Sequence, residues 1–317
     1  MGRKLTKTIF GICALTAAVH ACNKMITKNA TKKELLDYSN GKTFNTSYGK
    51  MFYKVYGTGT PLVLVHDISI CSSGYEWNNV VKYLSKKFKL YIVDLPGCGR
   101  STKMNISYNS YMYIQVLTNF INNVIGEKVD IVASGKSIPL VLKMYEIDNS
   151  LISKIVAISP EYVRKTKYIK IDKLKEIKNY IIESPIIGTA IYNHIASKKN
   201  IEELFTDKYY YNESKIRTKD INAFYESAHL SGANSKFLNY SLFNNYIHCN
   251  SLNVLNLIDD DELKIICGKE DDTAKKVISQ FESHAIRLNY NYIDNAKKMP
   301  HLECPNYVSK VISEFLI

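Results

Sequence analysis

The chain has 317 residues, 46% of them hydrophobic and 23% charged, enough to bury a full core in one large domain or two small ones. Seven Pro and fourteen Gly, with no repeat of roughly 20–50 residues, exclude a collagen-like, low-complexity or solenoid architecture. The formal charge is +12, but +7 of it lies in the first fifty residues, and no RNP motif, zinc finger or basic recognition helix accompanies it. No nucleic-acid partner is therefore expected.

Arg3, Lys4 and Lys7 lead into an apolar stretch from Thr8 to Ala21 (TIFGICALTAAVHA). At about 14 residues it is short for a spanning helix, which needs about 20, and has the shape of a signal-peptide core with Val19-His20-Ala21 as a tolerable cleavage site. A second basic flank follows (Lys24, Lys28, Lys32, Lys33) and disfavours translocation. Both flanks fit an anchor over residues 1–33 on an anionic membrane surface, facing the cytoplasm. Cleaved export and a plain soluble tail are the alternatives.

After a polar linker over 22–45, Tyr48–Tyr56 alternates as a strand pair, ahead of a Gly57-Thr58-Gly59 turn. Leu62–His66 (LVLVH) is a continuous apolar run, as in a strand buried on both faces of a parallel sheet. Trp77–Phe88 reads as a helix, Lys89–Asp94 as a strand and Tyr111–Ile125 as an amphipathic helix. A strand over Val129–Ser134, a helix over Ile138–Tyr145 and a strand over Ile155–Ser159 follow. This alternation predicts an α/β protein with a doubly wound, mostly parallel sheet. From Tyr162 to Asn256 the pattern is helical, rich in Lys, Tyr and Asn; the sheet then resumes at Lys264–Cys267 and Ile286–Ile293, with a closing helix over Tyr307–Leu316. The expected organisation is anchor and linker over 1–45, sheet domain over 46–161 and 258–317, and a helical lid inserted over 162–257. Such a lid usually covers a pocket at the strands' carboxyl ends. Seven scattered Cys without a CxxC pair give no disulfide framework or zinc site, and no His pair has metal spacing.

Gly135-Lys136-Ser137 falls between a buried strand and a helix, where a nucleophile elbow exposes a serine and aims the next amide, that of Ile138, at a developing oxyanion. A helix N-cap is the plainer reading of a lone G-x-S. Pro139 stands where the second glycine of G-x-S-x-G would be; Ser134 is a competing nucleophile.

At this point the chain resembles the α/β-hydrolase family over about residues 48–317. Asp94–Ser101 (DLPGCGRS) is similar to that family's D-x-P-G-x-G-x-S segment, and Gly57-Thr58-Gly59 with His66 to its opening strand; Asp67 replaces the usual glycine. The resemblance implies Ser137 as nucleophile and Asp271, in Gly268-Lys269-Glu270-Asp271, as acid, with Asp272 adjacent and Glu161 in an alternative acid position. His66 would support an oxyanion loop whose second amide is that of Ile68. In the last loop, Met299-Pro300 and Glu303 set a register that puts Lys298 where the base belongs and His301 three residues later. Three readings stay open: His301 as base through a shifted loop, Lys298 as base in a Ser–Lys arrangement, or a broken triad in a protein that binds without turnover. The resemblance implies a small ester, thioester or amide substrate and no cofactor.

Overall fold

The computed structural model describes residues 2–163 and 173–317, with side chains for 7–163 and 177–317. The side chains of Arg3 and Lys4, and residues 164–172 of the expected insertion, lie outside the described residues.

Helix α1 (Gly2–Thr31) is continuous, running from the apolar stretch through the basic flank. A hairpin of β1 (Gly41–Thr46) and β2 (Gly49–Tyr56) follows, so the sheet begins inside the stretch expected to be linker. Next come β3 (Thr60–Val65), α2 (Asn78–Leu84), β4 (Phe88–Val93), α3 (Ser110–Phe120), β5 (Val129–Ser134), α4 (Ile138–Ile147) and β6 (Ile152–Ile158). The insertion carries α5 (Lys173–Glu183), α6 (Ile187–Ile195), α7 (Lys198–Leu204), α8 (Thr218–His229) and α9 (Lys236–Phe243). Strand β7 (Leu263–Gly268), α10 (Ala274–Glu282), β8 (Asn289–Ile293), α11 (Pro300–Glu303) and α12 (Pro305–Leu316) complete the chain.

The eight strands form one sheet in the order β1-β2-β4-β3-β5-β6-β7-β8; β2 runs antiparallel to both its neighbours, β1 and β4, and every other pairing is parallel. The expected doubly wound sheet with helical insertion is the architecture observed. Its central strands are apolar throughout because both faces are covered. Alternate side chains divide between two cores: Val63, Val65, Ile131 and Ala133 face one way, Leu62, Leu64, Val132 and Val156 the other. The reversal of strand order beside β3 and β5 opens a crevice at their carboxyl ends, where such folds hold ligands.

The turn after β4 pins that crevice. Asp94 is fully buried, and its carboxylate accepts the Gly74 and Arg100 amides (both 2.7 Å) and the Arg100 guanidinium (2.7 and 2.9 Å). Burial alone would raise this carboxyl, but Arg100 outweighs it and holds it below the usual range. Gly99 has φ +48, and a Cβ there would sit 2.3 Å from Asp94 Oδ2. The aspartate and the glycines of DLPGCGRS thus form one unit.

Candidate functional site

Two loops meet at the carboxyl ends of β3 and β5. In the first, the Leu95 amide donates to His66 Nε2 (2.9 Å), so the ring proton is on Nδ1 and is donated to the Asp67 carbonyl (2.6 Å). His66 thereby braces the loop that carries Asp67 and Ile68.

In the second loop the chain turns at Gly135, not at Ser137. Ser134 is extended, Gly135 has φ +54, and Ser137 is already helical at φ −76, ψ −20. The side chain that an elbow would present therefore belongs to position 135, which has none. Asp67 fills the space: a Cβ on Gly135 would lie 2.3 Å from Asp67 Oδ1 and 2.5 Å from Cγ. The same Oδ1 accepts the Ile68 amide (2.8 Å) and the Lys136 amide (2.7 Å). Two convergent backbone amides are the donor set of an oxyanion hole. Here they hold a carboxylate of the protein itself, on a residue only 2% exposed.

Several expectations need correction. Ser137 is fully buried, and its hydroxyl donates to the Ser134 carbonyl (2.8 Å) and the Val65 carbonyl (3.3 Å). The Ile138 amide closes the turn on the Gly135 carbonyl, so Lys136 supplies the amide expected of Ile138. The competing Ser134 hydroxyl donates to the buried Glu76 carboxylate, which also accepts the Asp67 amide (3.2 and 3.3 Å). Asp271 takes the Thr273 amide and hydroxyl (2.9 and 2.8 Å) in a local turn that opens α10, with Asp272 exposed beside it. His301 is fully buried, its ring 4.6 Å from that of Trp77; neither nitrogen has a hydrogen-bond partner among the described residues, and Nε2 is 3.6 Å from Glu76 Oε1. It packs against Trp77 and beside Glu76.

Lys298, in contrast, does reach the site. Its Nζ donates to Glu161 Oε1 (2.5 Å), and Lys136 Nζ donates to the same oxygen (2.9 Å). Burial alone would raise the Glu161 carboxyl, but Lys298 and Lys136 outweigh it and bring it down to about 2. Burial would likewise lower the Lys136 ammonium, yet Asp67 and Glu161 push it above the ordinary lysine range. The result is one carboxylate, Glu161, shared by two ammonium groups, with the charge of Asp67 acting on Lys136 as well. The last loop is held against the insertion by the Lys298 and Met299 amides, which donate to the Lys208 and Tyr209 carbonyls (both 3.2 Å). A cavity of about 120 Å³ adjoins the ion pair, lined by Lys136, Pro139, Glu161, Leu242, Ile247 and His248 among others.

The residues missed from the sequence are Gly135 and Glu76. The signal for Gly135 was its pairing with Asp67: a side chain appears where the first loop usually has glycine, and a glycine where the elbow usually has a side chain.

No family model matches the chain. A meta-cleavage product hydrolase from Pseudomonas fluorescens IP01 superposes with a TM-score of 0.71 at 16% identity, covering 88% of this chain and 98% of that one. A structure described as a membrane phospholipase A, a bacterial virulence factor, gives 0.67 at 16% identity and covers 100% of this chain and 98% of its own. In sequence, 66 residues are 38% identical to the pimeloyl-[acyl-carrier protein] methyl ester esterase of Wigglesworthia glossinidia brevipalpis; the match spans 20% of this chain and 23% of that relative. The chain has the α/β-hydrolase fold. Its likeness to the esterase is confined to that short segment.

Proposed function

We propose that this is a membrane-associated α/β-hydrolase-fold protein that binds a small molecule beside Lys136 and Glu161 and performs no serine-type acyl transfer. One observation carries the reading: Asp67 Oδ1 takes both the Ile68 and Lys136 amides and fills the space an elbow side chain would need at Gly135. A developing oxyanion has no donors left, and a nucleophile has no position to attack from. Lys298 adds to this, because an ammonium tied to Glu161 has no lone pair with which to accept a proton. The apolar part of the ligand would lie on Pro139, Leu242 and Ile247.

Membrane association is supported by α1, whose span Lys7–Thr31 is long and apolar enough to cross a bilayer. Lysines on both sides of the apolar stretch support attachment on the cytoplasmic face. A second reading, esterase-like hydrolysis of a small ester, is favoured by the 66-residue likeness to the methyl ester esterase. Intact mass after a fluorophosphonate probe, together with turnover of p-nitrophenyl acetate, separates the two. The binding reading expects neither an adduct nor turnover. A stoichiometric serine adduct, or turnover that disappears in Asp67→Asn, would overturn it in favour of hydrolysis.

A further inference from the structure

Helix α6 is inside out for a water-soluble protein. Its inward face carries Thr189, Tyr192 and Asn193, all buried, while Ile187, Ile191 and Ile195 are 60%, 36% and 40% exposed. Isoleucines recurring every four residues make a single stripe, which in a soluble helix faces the core. The polar inward residues are satisfied locally. Thr189 donates to the Pro185 carbonyl (2.6 Å), and Asn193 donates to Asn23 Oδ1 on α1 (3.0 Å). Helix α5 repeats the pattern: Ile177, Tyr180 and Ile181 are exposed, while Asn179 accepts from Asn244 (3.3 Å).

The two helices are held as a unit. The buried Lys236 ammonium caps the end of α5 through the Glu183 and Ser184 carbonyls (2.8 and 2.5 Å). Gly188 lets α6 approach so closely that a Cβ there would meet the Ile182 carbonyl oxygen at 1.9 Å. Asn23 fixes the position of this unit relative to α1, because its amide donates to the Ile186 carbonyl (3.0 Å) at the start of α6. Of the large apolar residues exposed on α1, Ile9, Phe10, Ile12 and Leu15 precede that contact and Met25 lies two residues beyond it. The stripe on α6 thus begins beside the exposed apolar part of α1. Lys24 and Lys28, within five residues of Asn23 on α1, are exposed, as is Lys178 on α5.

We infer that the α5–α6 face rests on the surface of an anionic lipid bilayer, seating the insertion on the membrane that α1 enters. The inference builds on the membrane reading of α1. The occupant is a bilayer because the face is continuous with an apolar helix and bordered by lysines, which match acidic headgroups.

Trp77 is the chain's one tryptophan and is fully buried, so a tryptophan placed on the surface reports alone. Full-length Leu15→Trp and Ile191→Trp are each mixed with phosphatidylcholine vesicles containing phosphatidylserine, with or without brominated acyl chains. Both variants are expected to shift their emission to shorter wavelength and to be quenched by the brominated lipid, with the parent unaffected. A response from Leu15→Trp alone overturns the docking face and leaves α1 as a tether. A response from neither overturns both readings. A concentration-dependent shift of Ile191→Trp without vesicles assigns the face to a second copy of the chain and also overturns the inference.

Discussion

The Asp67 carboxylate and the missing side chain of Gly135 occupy one volume, with 2.3 Å between Asp67 Oδ1 and the place of a Cβ on Gly135. Real carbon–oxygen contacts are never that short, so the two positions are coupled: only one can carry a side chain. On the binding reading proposed above, the pair trades a nucleophile for a carboxylate, and the Ile68 and Lys136 amides that would serve a transition state hold Asp67 instead.

That coupling is measurable as a double-mutant cycle. Gly135→Ala adds a Cβ to a left-handed residue and drives it into Asp67, and is expected to cost about 2–4 kcal/mol. In an Asp67→Gly background the collision is gone and only the backbone strain, about 1 kcal/mol, is expected to remain. Urea unfolding of the four proteins gives the interaction energy. Additive effects would mean that the two positions do not share the space.

The reverse exchange should rebuild an acyl-transfer site. In Asp67→Gly/Gly135→Ser/Lys298→His the Ile68 and Lys136 amides are released, a hydroxyl stands at the elbow, and an imidazole stands beside Glu161. A single fluorophosphonate adduct is expected, on the peptide that contains position 135, with none on the parent. The same variant without Lys298→His should label at least tenfold more slowly, because a positioned base contributes about 10²–10⁴-fold.

What could be read from the residues alone divides along physical lines. LVLVH and VDIVAS announce buried parallel strands because apolar runs need cover on both faces, and DLPGCGRS announces its turn because Asp94, Gly99 and Arg100 interact within a few residues. Gly135-Lys136-Ser137 satisfies a G-x-S pattern as text, whereas the backbone turns at its glycine. What decides that register is Asp67, far away in sequence. The extent of α1 was missed for the same reason: Asn23 is held by Ile186 and Asn193, and the Leu35 and Leu36 amides just beyond the helix by Glu226 (2.8 and 3.0 Å). The polar strand β1 lies at an edge, where alternation is weak and pairing with β2 supplies the order.

Asp94→Asn tests how much the crevice depends on its turn. The substitution removes the charge facing Arg100, whose side chain is 6% exposed and whose guanidinium also lies 4.1 Å from the centre of the Phe52 ring. Leaving a buried guanidinium unpaired is expected to cost about 3–5 kcal/mol, read as a fall in urea midpoint. A loss under 1 kcal/mol would mean that water reaches Arg100.

Glu161 sets an acid limit on the site. Its carboxyl titrates at about 2 in the folded protein, against 4.5 ordinarily. A depressed carboxyl contributes stability that is whole above 4.5 and lost as pH falls toward 2. The side chain is one-third exposed, so solvent screening leaves the contribution at about 1 kcal/mol. The stability difference between the parent and Glu161→Gln should therefore be constant from pH 7 to 5 and shrink steadily below 4.5. A difference independent of pH down to 3 would rule out the charged pairing with Lys136 and Lys298.

Lys103 gives a pH dependence of the same sign in an alkaline window. It is 3% exposed, its Nζ donates to the Ser227 carbonyl (2.5 Å) and the Ser235 hydroxyl (3.4 Å), and burial lowers its pKa to about 8 despite Cys98 and Asp94. Between pH 8 and 10.5 the unfolded chain holds a proton there that the folded chain has released, so folding strengthens as pH rises through that window. Lys103→Met removes the titrating group and keeps an apolar side chain of similar length. The parent should gain about 2 kcal/mol relative to this variant between pH 7 and 10, because each pKa unit is worth about 1.4 kcal/mol. Chemical denaturation of both proteins at the two pH values cancels the tyrosines and surface lysines they share. An unchanged difference would mean that Lys103 stays protonated throughout, with the Ser227 carbonyl and its neighbours repaying the full cost of burying the ammonium.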